Sequence, residues 1–287
     1  MNTQTWRETG QFIQIQSHHL FVRDTGGEKP VLVILHGYPT FSYDYHAVLP
    51  ILTQRFRVVV HDHLGFGLSD KPDDYSYSLF EQADYALLLW EKLGIREAHI
   101  FAHDYGTSVA TEILARHNYG LLDFQIQGMS LCNGSMHIEL SQLRPIQKLL
   151  LNQTIGPMVA KLTNYAVFKR NMRKLWGDPS LLTEAELQEM WIQLVHNDGR
   201  RVLPRLTQYI RERRQFWHRW IGALQQTDLP INILWATEDP VAVRQMAEVL
   251  HGEIPNNQLQ YLEGLGHYPM IEAPERWSEA LLKMIQE

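Results

Sequence analysis

Ile100-Phe-Ala-His-Asp104-Tyr-Gly106-Thr-Ser-Val-Ala110 decides the architecture of this 287-residue chain. A β-type apolar run over 98–102 stops at His103-Asp-Tyr-Gly106, and a helix-compatible stretch over 107–116 follows at once. Strand, sharp turn and helix in that order make a nucleophile elbow, whose usual form is small-x-Ser-x-Gly. Here Ala102 is the small residue, Gly106 closes the turn, and Asp104 stands where serine would. A carboxylate in that slot changes the chemistry. Attack on an ester or amide would give a mixed anhydride, a poor intermediate. Attack on an sp³ carbon that carries a leaving group gives a stable alkyl ester. The turn therefore reads as part of a displacement enzyme, not a serine-type esterase.

Outward from the elbow, short β-like runs alternate with helical patterns over the first 133 residues. Segments 11–16 and 19–23 read as an opening hairpin. Segments 30–35 and 56–61 are continuous apolar strands, of the kind buried on both faces of a parallel sheet. Residues 78–93 are helical, with Gly94 as a stop signal. After the elbow comes a strand over 124–132. The alternation resumes with strand 231–236, helix 243–251, strand 258–262 and helix 274–284. Such alternation with right-handed crossovers implies a doubly wound, mostly parallel α/β sheet. Between 134 and 227 the pattern is helical only: 142–151, 159–169, a segment opened by the capping box Thr183-Glu-Ala-Glu186, and 201–223. The expectation is a core of residues 1–133 and 228–287 with a helical cap at 134–227. Inserted there, the cap would enclose the carboxyl ends of the strands, where open α/β sheets bind ligands.

Composition narrows the function. One cysteine, Cys132, forbids an internal disulfide and makes a reducing cytoplasm the simpler setting. The first residues carry no apolar signal region, and no window approaches 18 uninterrupted apolar residues. The formal charge of −6 argues against nucleic acid, but it is unevenly spread. Residues 134–227 carry +7 and the remainder −13. The plainer reading is a basic module docked on an acidic one, although such asymmetry also marks membrane faces. His61-Asp62-His63 is too weak a pattern for a metal site.

A carboxylate nucleophile needs a base to activate water for the second step, and the base needs an orienting acid. On this kind of elbow the two follow the nucleophile as acid, then histidine. Asp239-Pro240 lies just past the 231–236 strand, and Gly266-His267 lies in a Gly-rich loop past the last strand. Glu238 and Glu139 are rivals for the acid. His36-Gly37-Tyr38-Pro39 follows the 31–35 strand, where a backbone N–H of an oxyanion hole is expected. The N–H groups of Tyr38 and Tyr105 would supply the pair. The bland alternatives are that Asp104 only caps a helix, that His267 is a packed loop histidine, and that His103 is structural. The basic-aromatic run over 211–220 reads as a solvated helix face with an aromatic underside.

Four motifs carry a family resemblance: His36-Gly-Tyr-Pro39, Asp62-His-Leu-Gly-Phe-Gly-Leu-Ser-Asp-Lys-Pro72, His103-Asp-Tyr-Gly106, and the Asp239-Pro240 and Gly266-His267 pair. The chain resembles the aspartate-nucleophile branch of the α/β-hydrolase fold, the epoxide hydrolases and haloalkane dehalogenases. It is similar in particular to mesoderm-specific transcript proteins, through Asn197-Asp-Gly199 and Gln208-Tyr-Ile210. The resemblance implies an α/β-hydrolase with a helical cap, acting on a small apolar substrate without metal or organic cofactor. Two positions depart from the dehalogenase pattern. Tyr105 stands where dehalogenases and most epoxide hydrolases place a tryptophan, which in dehalogenases binds the halide, and Tyr38 where dehalogenases often add a second donor, an asparagine. Epoxide hydrolases use cap tyrosines to protonate the opening oxygen, a role that the resemblance gives to Tyr209, with Tyr165 as a second cap acid. The leading expectation is epoxide opening to a diol. The alternatives are halide displacement by the same nucleophile and a low-turnover binding protein on the same fold. No nucleic-acid partner is expected, and peripheral membrane contact stays open.

Overall fold

The computed structural model describes residues 1–286. In chain order the strands are β1 (Gln11–Ile15), β2 (His18–Asp24), β3 (Val31–Leu35), β4 (Arg57–His61), β5 (Glu97–His103), β6 (Gln125–Cys132), β7 (Ile231–Ala236) and β8 (Asn257–Leu262). They form one sheet in the order β1-β2-β4-β3-β5-β6-β7-β8. β1 pairs antiparallel with β2, and β2 with β4, whereas every pair from β4 to β8 is parallel. The expected strands are all present, within a residue or two at their ends. The centre of the sheet is buried on both faces: Leu32, Val33, Ile34 and Leu35, Val58, Val59 and Val60, and Ile233, Leu234 and Trp235 are all inaccessible to solvent. This is why those runs show no alternation in sequence.

The α-helices are α1 (Thr3–Glu8), α2 (Leu49–Leu52), α3 (Leu79–Lys92), α4 (Tyr105–Asn118), α5 (Pro145–Leu151), α6 (Gly156–Leu162), α7 (Tyr165–Met172), α8 (Glu184–Val195), α9 (Leu203–Leu206), α10 (Tyr209–Gln225), α11 (Arg244–Glu253), α12 (Pro269–Glu272) and α13 (Pro274–Gln286). Between β6 and β7 the described elements are all helical. Two segments read as single helices are in fact broken. Segment 159–169 divides because Asn164 turns extended and its side chain accepts the Val167 N–H, which caps a new helix. Segment 201–223 divides between α9 and α10. Upstream, Asn197 and Asp198 adopt left-handed φ of 50° and 52°. The capping box holds: Thr183 accepts the Glu186 N–H at the start of α8.

Helix α1 gave no periodic signal because it is only six residues long. It forms by packing. Trp6 is fully buried against Phe21 and Tyr43, the Thr3 N–H donates to Glu189 of α8 at 2.7 Å, and Gln193 donates to the Thr3 hydroxyl at 3.1 Å. The N-terminal segment is thereby joined to the helical insertion.

The switch in strand order falls between β3 and β5, which neighbour each other although β4 intervenes in sequence. Two parallel strands whose connections leave in opposite directions open a crevice at their carboxyl ends. Asp104 follows β5 and Tyr38 follows β3.

Candidate active site

Asp104 occupies the elbow with φ 44° and ψ −106°, a conformation that costs a non-glycine residue about 1–3 kcal/mol. The surroundings enforce it. Gly106 lets the first turn of α4 close on β3, since a Cβ there would lie 2.2 Å from the Leu35 carbonyl oxygen. The Asp104 carbonyl accepts from the Thr107 hydroxyl at 2.6 Å and from Arg213 Nη2 at 2.8 Å. The side chain does not cap α4, contrary to the bland reading. It projects into the crevice, 3% exposed.

There Asp104 Oδ2 accepts the Tyr38 N–H at 2.9 Å. Gly37 makes this approach feasible: a Cβ would come within 2.8 Å of the His103 ring and 3.0 Å of the Asp104 Cβ. Tyr105 is the first residue of α4, so its N–H is one of the helix's orphan donors, as an oxyanion hole requires.

His267 Nδ1 lies 2.6 Å from Asp239 Oδ2, and its Nε2 lies 4.0 Å from Asp104 Oδ2. With Nδ1–H donated to the acid, Nε2 is left to face Asp104 across this gap. Burial disfavours the charged imidazole, but the carboxylates of Asp239 and Asp104 outweigh it and push its pKa up to about 8. Asp239 is fixed on every side: Oδ1 accepts the Val241 and Ala242 N–H groups, and Oδ2 also accepts Asn133 Nδ2 at 2.9 Å. Neither rival acid reaches the imidazole. Glu139 pairs with His137 Nδ1 at 2.8 Å, and Glu238 is exposed. His103 Nε2 donates to the His267 carbonyl at 2.8 Å, and burial pushes its pKa well down, so it braces the loop as a neutral ring. His36 and His61 are likewise held neutral by burial, at about 3 and about 4.

A cavity of about 80 Å³ opens over this group, and Asp104, His267 and Tyr38 line it among mostly apolar side chains of the insertion, Phe168 and Leu203 included. Tyr209 stands one layer back. It is not a lining residue, but its ring packs on Tyr38 and Tyr105, with centroids 5.6 and 5.2 Å apart. Gln147, which does line the cavity, donates to the Tyr209 hydroxyl at 3.3 Å while its own oxygen accepts the Arg144 N–H. The Tyr209 hydroxyl is thus the acceptor in this bond, which leaves its proton uncommitted to Gln147. Burial pushes the phenol pKa well up, so it keeps that proton. The Tyr38 hydroxyl, by contrast, spends its proton on Thr207 Oγ1 at 3.0 Å, because Thr207 donates its own to the Leu203 carbonyl. Tyr165 is not brought to the site: its hydroxyl donates to Glu184 on the outside of the insertion at 2.6 Å.

Segment 211–220 exposes Arg211, Arg214 and His218 as a solvated face should, but Arg213 departs from that reading. Its side chain is 2% exposed; Nε donates to Ser108 at 2.6 Å, and the guanidinium lies over the Tyr209 ring, 4.5 Å from its centroid. Nη2 is 4.0 Å from Asp104 Oδ1, which makes Asp104 its counter-charge. One signal for it is usable in sequence, the i, i+4 spacing from Tyr209. Farther along α10, Glu112 of α4 accepts from Arg219 and Trp220 and fastens the two helices together.

Residues 30–274 match the family model of the alpha/beta hydrolase fold. The chain belongs to that family. It is 39% identical over 280 residues to a protein named as the hydrolase LipZ of Mycobacterium tuberculosis, covering 98% of this chain and 96% of that one. It is 34% identical over 291 residues to the mesoderm-specific transcript protein of Mus musculus, covering 98% and 87%. An ancestral haloalkane dehalogenase superposes with a TM-score of 0.82 at 22% identity, over 96% of this chain and 98% of that chain. The epoxide hydrolase CorEH superposes at 0.78 with 18% identity, over 97% and 98%.

Proposed function

We propose that this α/β-hydrolase opens small apolar epoxides to diols through a covalent ester on Asp104, with the helical insertion at 134–227 serving as its cap. One observation carries the reading: a carboxylate, not a hydroxyl, sits on the strained elbow, faced at 4.0 Å by the Nε2 of an acid-oriented histidine. Asp104 Oδ1 attacks an oxirane carbon from the back, the C–O bond breaks, and the departing oxygen takes the Tyr209 proton. Oδ2, already bonded to the Tyr38 N–H, becomes the ester carbonyl oxygen. Water then loses a proton to His267 Nε2 and adds to the Asp104 Cγ, and the N–H groups of Tyr38 and Tyr105 hold the oxyanion. Collapse expels the diol oxygen, which takes the proton from His267, and the proton that water left on the Asp104 carboxyl returns to the Tyr209 phenolate, so that both groups are restored. Arg213 favours this second step, because ester formation removes the negative charge opposite its buried guanidinium and hydrolysis returns it.

Single turnover in ¹⁸O-water with aryl, alkyl and fatty-acid epoxides tests the mechanism, and label is expected in Asp104. Label found only in the diol on the first turnover overturns the covalent route. Halide release from haloalkanes without epoxide turnover moves the enzyme to the dehalogenase chemistry.

A further inference from the structure

The helical insertion differs in kind from the rest of the surface. It is a third of the chain, yet eight of the twelve large apolar side chains exposed among the described residues belong to it. Scattered exposed apolar residues are ordinary; a concentration of them is not. Five of the eight, Leu149, Ile155, Met158, Leu162 and Val167, fall on the consecutive helices α5 to α7 and the turn before α6, 36% to 68% exposed. On α6, positions 155, 158 and 162 fall within about 60° of one another at the helical rotation per residue. They form one outward stripe, while Gly156 and Ala160 face inward.

The charge of the same tract is equally one-sided. Residues 144–174 hold seven Lys and Arg and no Asp or Glu. Lys148, Lys161, Arg170 and Lys174 are exposed, and Lys169, Arg170, Arg173 and Lys174 line an open surface groove along α7. Lys169 pairs with Glu184, which reaches across from α8. Elsewhere the chain is strongly acidic. This stretch also walls the cavity: Arg144, Ile146, Thr163, Val167 and Asn171 line it, and Val167 is 37% exposed. Val167, one of the five exposed apolar residues, thus belongs both to the surface and to the cavity wall.

We propose that the α5–α7 face docks on an anionic phospholipid surface, with its apolar stripe in the interfacial layer and the lysines and arginines at the headgroup phosphates. Apolar residues interleaved with Lys and Arg on short surface helices are what such an interface selects, and neither component alone holds a protein there. Nucleic acid would meet the charge but leave the Leu, Ile and Met side chains without a role. A second copy of this chain would bring two faces of like charge together. Docking would turn the cavity mouth toward the lipid, so that an apolar substrate enters without crossing water. The face is independent of the reaction proposed at Asp104.

The test is co-sedimentation of the full chain with vesicles of phosphatidylcholine containing 30 mol% phosphatidylserine, against vesicles of phosphatidylcholine alone, in 50 and 500 mM salt. Binding is expected to the anionic vesicles at low salt and to fall at high salt. Lys161→Glu, Arg170→Glu and Lys174→Glu combined should weaken it at least tenfold, given roughly fivefold per basic residue near such a surface. Met158→Asp with Leu162→Asp should weaken it comparably. All five positions are exposed, and unchanged thermal melting will show that the fold is kept. No binding at low salt overturns the proposal, as does binding that ignores either set of substitutions. Binding to single-stranded RNA that only the charge reversals abolish reassigns the face, and a dimer dissolved by the two aspartates makes it an interface between copies.

Discussion

The proton on His267 should be worth a measurable part of the stability of the fold, with a definite sign. In the unfolded chain this imidazole titrates near 6.5; in the native state, despite burial, the Asp239 and Asp104 carboxylates push it up to about 8. The native state thus binds the proton more tightly than the unfolded one. The stabilisation is fully present below pH 6.5 and is lost as pH rises through 8. A rise of about 1.5 pH units at 1.36 kcal/mol per unit corresponds to about 2 kcal/mol. Other groups titrate over the same range, so the assay is a double difference: urea unfolding of the wild type and of His267→Gln, each at pH 6 and pH 9. The wild-type advantage over the variant should shrink by about 2 kcal/mol between the two. An advantage equal at both pH values would mean that the Asp239–His267–Asp104 group does not hold the extra proton, and the electrostatic account of the site would fall. The same shift governs turnover, because only neutral His267 can take a proton from water. The rate of ester hydrolysis should rise with pH through a midpoint near 8.

Tyr209→Phe should cut epoxide turnover by roughly 10²–10⁴-fold with melting unchanged, the usual worth of a positioned general acid; near wild-type turnover would remove the phenol from the reaction. His267→Gln should stop after the first step and show, by intact-protein mass, one substrate mass on Asp104. Arg213→Met should destabilise the fold by about 3 kcal/mol in urea unfolding, as removal of one partner of a buried charge pair does; a loss below 1 kcal/mol would show that the guanidinium is not the partner of Asp104. Asn133→Gly keeps the left-handed φ of 43° but removes the amide bonded to Asp239. It should cost about 1.5–3 kcal/mol and lower turnover, both read on the purified variant.

The residues of the candidate site were legible where local pattern and fold agree. Asp104, His267 and Asp239 each follow a strand that its own apolar run announces, and the parallel sheet then brings three distant loops to one crevice. What the sequence hid comes from helices whose facing depends on docking. Arg213 lies in a run of charge that resembles any solvated face, and only the approach of α10 to α4 buries it. Gln147 and Thr207, which direct the protons of Tyr209 and Tyr38, are ordinary polar residues until the insertion folds over them. Tyr165 failed for the opposite reason: aromatic and in the right segment, it was turned outward when Asn164 capped a new helix and Glu184 took its hydroxyl.

The contact of α1 with α8 has a bearing on how this fold can be recombined. Insertions of this kind invite exchange between relatives, since they leave and rejoin the sheet at two fixed points. Here a donor fragment cut at 134 and 227 would arrive without the segment that carries Thr3 and Trp6. The Thr3 amide and hydroxyl would face a foreign helix in place of Glu189 and Gln193. Chimeras that carry residues 1–9 together with 134–227 should fold better than those that graft the insertion alone, which makes two segments far apart in sequence a single unit of exchange.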